Sequence, residues 1–580
     1  MYKLNLGAAE ALRKAKEYFD FSKRSSLRQI WLERHRKAVT YYAGQQWGFT
    51  SERDKSLMDD IGLNRYTYNI IKANIDNLTS MQIRSSKRVV YEATTDNLQH
   101  KEIANQLKAL AYDIQTKSDH IFASSRKFTS ALVSGIGWSI TEVVGDNISY
   151  AYVPPEEVYF DPSDTSLDFS QSRFVCRTKM VDSLDLSLLY PSLAKEFEQM
   201  VSNPSSLDSL GFAGEFDDDS SLVNGFSIRV VDVYYKKLVD AYSAEIIPEF
   251  EGNDVESPVE YISFDKGDLL QRVSESEIKK IKATQIWHCR YVGDLLLFHD
   301  KLENQVPNQS TFPLSAVVLI RDPGYVPYGL VENVYDIQDN RNYLWSTVLH
   351  YLDSKTVTVT DPEVDRDKAR FELGTEIRKK NAVLFARERG GLTIHDHVQD
   401  TLSRKNLLDA NAREMEMILG VYGEYRGEET NVISGVAIKA KTQNTQNAHN
   451  YEILAYETMI LNEGRVLLDI LKGSKDLNFS FKQMQKGVDT IVSLDKKISI
   501  LDFNIYARLS SIFSSSAEES AQKFADLMQN PHKDYILANP EFLMKFGFDE
   551  KEAYNLHQEH MKTLALLSGQ ANQESEEEVE

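Results

Sequence analysis

Apolar residues recur at helical spacing over residues 3–44: Leu12, Ala15, Tyr18 and Phe19, then Leu27, Ile30, Trp31 and Leu32. Gly44 is placed to stop that helix, and Trp47 follows it as an aromatic anchor. Residues 64–86 repeat the pattern, with Ile70, Ile71, Ile75, Leu78 and Met81 on one side. Residues 87–95 read as a strand, and helical spacing resumes from Gln99 to Val133. From Gly135 the period becomes two. The pattern predicts two strands around a Gly145-Asp146-Asn147 turn, a Pro154-Pro155 loop, and a strand over 172–181. A short helix broken near Pro191 and a Ser-, Gly- and Asp-rich loop over 202–221 come next. Strands then run from Ile228 to about Ile320, "EYISFDKGDLLQRV" among them.

The stretch from Tyr328 to Lys472 breaks this order. The spacing predicts a helix over 327–354, a small β-like excursion over 355–397 and a helix over 398–422. A Gly-interrupted charged loop and a polar helix complete it. Residues 474–510 are β-like again, so the excursion reads as an insertion projecting from one body. Ser515 and Glu518 stand at capping-box distance and open a set of short C-terminal helices. The tail over 574–580 is acidic and expected to be disordered.

At 580 residues the chain exceeds one hydrophobic core, so two to four structural units are expected. No apolar run approaches 20 residues, and the N-terminal helix lacks the apolar core of an export signal. Assembly in the cytoplasm, away from a membrane, is the expectation. Cys176 and Cys289 are the sole cysteines, which excludes a disulfide scaffold and a cysteine-rich zinc site. The net charge of −21 argues against a general nucleic-acid binder. An ordinary soluble acidic surface explains it, and it also suits a wall past which DNA slides, because each neutralised phosphate adds salt-dependent affinity. Phosphate-loop, dinucleotide-binding, nucleophile-elbow and H-E-x-x-H motifs are all missing. The nearest metal-like cluster is His395-Asp396-His397, and a polar turn explains it better than a metal site does.

Several pieces, in order, carry a resemblance: "GQQW" (44–47), "YNIIKANIDNLTSMQ" (68–82), "ALVSGIGWSITEV" (131–143) and "VPPEEVYFDPSDTSLDFSQSRFV" (153–175). "PYGLVENVYDIQDNRNYLWS" (327–346) and "ISGVAI" (433–438) continue it. The chain resembles the portal proteins of tailed double-stranded DNA phages, the short-tailed-phage type. That resemblance implies an α+β portal fold with an α/β wing, a helical stem, a small β-containing clip, a tunnel loop and helix, and a C-terminal helical crown.

Laid on this sequence, the wing is 1–326, the first stem helix 327–354, the clip 355–397 and the second stem helix 398–422. The tunnel loop is 423–433, the tunnel helix 434–472, the β return to the wing 473–510, the crown 511–570 and the tail 571–580. Such proteins form a ring, typically of twelve subunits, at one capsid vertex, and need no cofactor. The implied partners are copies of the chain, double-stranded DNA in the channel, the terminase large subunit, capsid and scaffolding proteins, and tail or adaptor proteins.

The residues add three arguments. Leu330, Val334, Ile337, Leu344, Val348 and Leu352 form an apolar stripe, with Asp336, Asp339, Asn340 and Arg341 at polar positions, a pattern that fits packing on a neighbour and an ordinary core helix equally. In the clip, "VTVT" and "AVLFA" offer strand edges, and Arg378, Lys379, Lys380, Arg387 and Arg389 form either a solvated face or a basic face toward an acidic motor. The tunnel segment supplies Glu424, Tyr425, Arg426, Glu428, Glu429 and Asn431, then Lys439, Lys441 and Gln443 on a helix with few large apolar groups. A helix this polar faces water or lines a wet channel. The alternatives are a metal-dependent nuclease or hydrolase using His395 and His397, or another ring-forming connector.

Overall fold

The computed structural model describes residues 6–84, 87–95, 97–144, 147–202, 227–246, 259–353, 355–359, 392–396, 398–420, 450–474, 480–485, 488–494, 496–499, 501–509, 524–525, 527–546, 548, 553 and 555–562. The loop over 202–221 falls almost wholly outside these, and the "AVLFA" strand, the Ser515–Glu518 cap and the acidic tail lie outside them entirely.

Two helices open the chain, α1 (Leu6–Lys23) and α2 (Ser26–Ala43). Ser25 caps α2 by accepting the Arg28 amide at 3.2 Å, and Gly44 ends it in the left-handed region, as its position predicts. After α3 (Glu52–Asp60), α4 (Ile70–Arg84) and β1 (Lys87–Ala93), the single helix expected over 99–133 is two, α5 (Leu98–Lys117) and α6 (His120–Ser134). Ser118 turns its hydroxyl onto the Ile114 carbonyl, and Asp119 sits at φ 48°, a conformation that Asp tolerates better than most residues. Side-chain competition for the backbone ends α5 where apolar spacing alone would carry it on.

The β-rich body holds two main sheets. One is three-stranded: β2 (Ile136–Val144) lies between β3 (Asn147–Val153) and the later strand Leu314–Val318. The other is antiparallel and six-stranded, from β4 (Val158–Phe160), β5 (Phe174–Asp182), β6 (Ser227–Ile246), β7 (Val259–Ser263), β8 (Lys279–Val292) and β9 (Leu295–Lys301). Helices α7 (Ser183–Leu189) and α8 (Ala194–Ser202) interrupt it after β5. The stretch expected as a strand over 260–273 is strand only as far as Ser263. Asp265 accepts the Gly267 amide at 2.8 Å and starts a one-turn helix, α9 (Lys266–Leu270).

Side chains alternate across the large sheet. Tyr159, Phe174, Cys176, Val231, Val233 and Tyr235 meet Leu12 and Ala15 of α1, while Val158, Phe160, Val175 and Tyr234 meet Trp31 of α2 and Trp138 of β2. Both cysteines are thus buried and unbridged.

The strand Leu314–Val318 is β10, followed by the short pair β11 (Ile320–Arg321) and β12 (Pro327–Tyr328). The helix expected from Pro327 instead begins at Tyr335, as α10 (Tyr335–Asp353), after a 3-10 turn over Leu330–Val334. The reason is local. Tyr328 pairs with Ile320, and Gly329 is pressed against the Val133 carbonyl, so the backbone there is held before a helix can start.

Beyond α10, β13 (Lys355–Val359) pairs antiparallel with β14 (Leu392–Asp396), and α11 (Val398–Leu419) follows. Helix α12 spans Asn450–Gly473. The hairpin β15 (Ser480–Gln485) and β16 (Val488–Ser493) leads to β17 (Phe503–Leu509), which pairs with β1 from Lys87↔Leu509 to Ala93↔Phe503. Helices α13 (Lys533–Leu537) and α14 (Pro540–Phe546) close a small core of Leu527, Leu537, Leu543 and Phe548. The largest core gathers α4, α5, α6, α11 and α12 around Ile71, Ile75, Leu107, Leu132, Met415 and Met459.

Candidate channel segment and its support

Every residue proposed from sequence to face DNA, Glu424 through Gln443, lies outside the described residues, as do Arg378, Lys379, Lys380, Arg387 and Arg389 of the clip. The elements that hold both segments are described.

Helices α10 and α11 run antiparallel. Arg341 donates to the Leu408 carbonyl at 2.8 Å, Asn411 donates to the Ile337 carbonyl at 3.2 Å, and Leu344, Val348 and Leu408 close a small core between them. Leu352, the last member of the expected stripe, is exposed. The other face of α10 is a polar ladder that pattern reading missed. Gln338, Asn342 and Ser346 stand one turn apart and bond the extended segment after α3 and the first amide of α4. Ser346 accepts the Tyr66 amide at 2.9 Å, Asn342 the Tyr68 amide at 3.1 Å and Gln338 the Ile70 amide at 3.3 Å, while Gln338 donates to the Tyr68 carbonyl at 2.9 Å. These side chains replace the strand partner that the segment lacks.

Segment 421–449 connects α11, whose Met415 and Leu419 are buried, to α12, whose Ala455, Tyr456, Met459 and Ile460 enter the same core. Its Glu424, Glu428 and Glu429 balance Arg426, Lys439 and Lys441, three charges against three, in a chain of net charge −21.

Helix α12 is fastened at its centre by a buried polar cluster. Lys127 of α6 has no exposed surface, and its ammonium donates to Glu463 Oε1, Ser139 Oγ and Ser315 Oγ, each at 2.9 Å. Three donors meet three acceptors, so the charge is buried fully bonded. His120 holds Glu463 Oε2 at 2.8 Å, and the Tyr150 hydroxyl donates to Oε1. Burial pushes the Glu463 carboxyl up, but the Lys127 charge and the His120 and Tyr150 hydrogen bonds outweigh it and hold the carboxyl well below its ordinary range. Burial also lowers Lys127, against the pull of Glu463. The two tendencies oppose, and the complete set of bonds around both groups favours the ion pair.

Next to Glu463, Gly464 lets α12 touch the β1–β17 pair. A Cβ there would lie 2.7 Å from Val89, and the Gly464 carbonyl accepts the Tyr91 hydroxyl at 2.9 Å. Toward the C-terminus Thr311 donates to Asp469 at 2.6 Å, and Lys472 to Asp502 at 3.1 Å. The sequence held a signal for the cluster: Glu463 among the apolar positions of α12 and one lysine on the apolar face of α6. Each must find a partner once buried.

His395 stands on β14 opposite Thr356, and His397 lies outside the described residues. Among the described residues no group of three His, Cys, Asp or Glu could hold a metal ion, and no helix is long and apolar enough to cross a membrane.

The described residues are thus a β-rich body with an antiparallel helix pair, α10 and α11, and a third helix, α12, that shares its largest core. The chain belongs to the family described as phage P22-like portal proteins, whose model matches residues 20–537. No curated protein matches it. Membership makes it a portal protein of the bacteriophage virion, a head–tail connector that serves DNA packaging, in a family that is structural rather than enzymatic.

Proposed function

We propose that the chain forms a closed ring at one capsid vertex, through which DNA enters during packaging and leaves during ejection. In this reading the ring docks the terminase motor first and tail or head-completion proteins later. The observation that carries it is the apolar surface of the helices flanking segment 421–449. Leu402, Leu407, Met417 and Ile418 of α11 and Tyr451 and Leu454 of α12 are all exposed, Met417 at 72%. Apolar side chains left exposed along both helices suit a surface that is covered in the assembly, and a neighbouring subunit is the cover a ring provides.

Residues 421–449 then face the DNA. A charge-balanced segment suits passage: Lys439 and Lys441 meet phosphates briefly, while Glu424, Glu428 and Glu429 keep the wall from adhering. Residues 355–397 form the motor-facing end, with Arg378, Lys379, Lys380, Arg387 and Arg389 toward an acidic partner. Replacing Glu424, Glu428 and Glu429 together with Gln is expected to slow DNA passage and steepen its salt dependence. DNA translocation into capsids at two ionic strengths checks this, and unchanged kinetics at both contradict it. Joint alanine substitution of His395 and His397 separates the hydrolase alternative, because a portal ring still assembles and packages without them.

A further inference from the structure

Helix α3 has little of its own chain to lie on. None of its nine side chains is buried, and Leu57 and, just past its end, Ile61 are 54% and 60% exposed. Its cap and ion pairs are local: Ser51 accepts the Asp54 amide at 3.1 Å, Lys55 meets Glu52 at 2.6 Å, and Arg65 meets Asp59 at 3.1 Å. A helix of nine residues is marginal in water unless another surface packs on it. A row of rings follows it. Trp47 donates its indole N–H to the Tyr66 carbonyl at 3.3 Å, and the Tyr68 ring lies 5.5 Å from that of Trp345 on α10. Tyr66 and Tyr68 stay exposed although the ladder on α10 fixes their backbone. Rings already held in place cost little to order on binding.

A closed ring of more than two subunits joins two different faces, since a face that pairs with itself gives only a dimer. The exposed side of α11 therefore needs a second, different face on the next copy. Height selects where they meet. Arg341 of α10 bonds the Leu408 carbonyl of the antiparallel α11, so Ser346, five residues further along, stands about level with Ser403. Ser346 is also the residue that holds Tyr66. A ring operator turns a subunit without shifting it along the axis. With the helix pair upright, the α3 side of one copy thus meets α11 of the next over Leu402–Leu407. Leu402 and Leu407 are exposed there. That stretch carries Arg404 and Lys405 and no acid, a charge of +2. Helix α3 carries four acids, Glu52, Asp54, Asp59 and Asp60, against Arg53 and Lys55, a charge of −2.

We propose that α3, with Ile61, Tyr66 and Tyr68, is the second face of the subunit contact and receives Leu402–Leu407 of α11 from the neighbouring copy. This rests on the ring reading above and adds which surface closes the ring. Apolar Leu57 and Ile61 cover Leu402 and Leu407, and the opposite charges beside them set the direction in which copies add.

Two variants of the full-length chain test it by analytical ultracentrifugation. Leu57→Glu/Ile61→Glu breaks one face and Leu402→Glu/Leu407→Glu the other, all at exposed positions. Each alone is expected to lower ring yield about tenfold or more, leaving single subunits. Mixed, each variant keeps the face that the other lacks, so pairs are expected and rings are not. Rings in undiminished amount from Leu57→Glu/Ile61→Glu, or a mixture that stays single, overturn the contact and leave the ring reading standing. Unaltered protein that forms no ring overturns both. Charge exchange gives a second case: Arg404→Glu/Lys405→Glu is expected to lose rings, and adding Asp54→Lys/Asp60→Lys to the same chain to restore them. Loss without restoration overturns the contact.

Discussion

At the scale of single residues, two positions give separate tests. Gly135 has φ 88°, and a Cβ there would lie 2.5 Å from the Tyr328 amide nitrogen. Gly135→Ala adds both strain and overlap where α6 passes under β12, and is expected to cost about 2–4 kcal/mol, read as a lower denaturation midpoint. A loss under about 1 kcal/mol would contradict the close approach.

Asp469 is largely buried on α12, and burial lifts its carboxyl to about 6 against the pull of the Thr311 hydroxyl and the charges of Lys472 and Arg465. Between about pH 4 and 6 the folded chain keeps a proton that the unfolded chain has released, so stability falls as pH rises through that window. Asp469→Asn should flatten this dependence and gain about 1–2 kcal/mol at pH 7.5, after allowance for partial solvent screening. Melting curves across pH 4–8 check it, and equal slopes for both proteins contradict it. Neither role could be read from residue type. Gly135 needed its neighbour Tyr328, and Asp469 needed the distant Thr311.

At the scale of elements, the ladder on α10 makes the sharpest prediction. Gln338→Leu preserves helix propensity and volume but strips the Ile70 amide and Tyr68 carbonyl of their partners, at an expected cost of about 2–3 kcal/mol. The same change at exposed Tyr343 should be near neutral. Proteolysis should then open residues 64–69 in the Gln338 variant first; equal protection in both variants would contradict the ladder. Most helices and strands were legible because their apolar positions repeat at 3.6 or 2. Departures came where a side chain or a close contact outranked periodicity. Ser118 and Asp119 divided one expected helix, Asp265 turned a strand into a helix, and the seat of Gly329 delayed α10 to Tyr335. The ladder itself was hidden because Gln338, Asn342 and Ser346 look like an ordinary solvated face until the segment opposite them is known.

At the scale of the molecule, the account turns on surface left uncovered by the single chain. Leu407→Glu with Met417→Glu places two charges on the exposed face of α11 without touching its buried Leu408 and Met415. The variant is expected to stay folded and to shift from rings toward single subunits, read by mass photometry; rings in undiminished amount would contradict that use of the face. The β-like reading of residues 474–510 was legible in the sequence, and β15, β16 and β17 lie there, with β17 pairing with β1. The buried cluster holding α12 was not, because pairing Lys127 with Glu463 spans more than half the chain. The central claim, that copies of this chain close into a ring around a DNA-wide hole with residues 421–449 on its wall, is tested most directly by electron microscopy of the purified protein. The account predicts end-on rings with a central hole and the segment at its rim, whereas a compact monomer or dimer would contradict it.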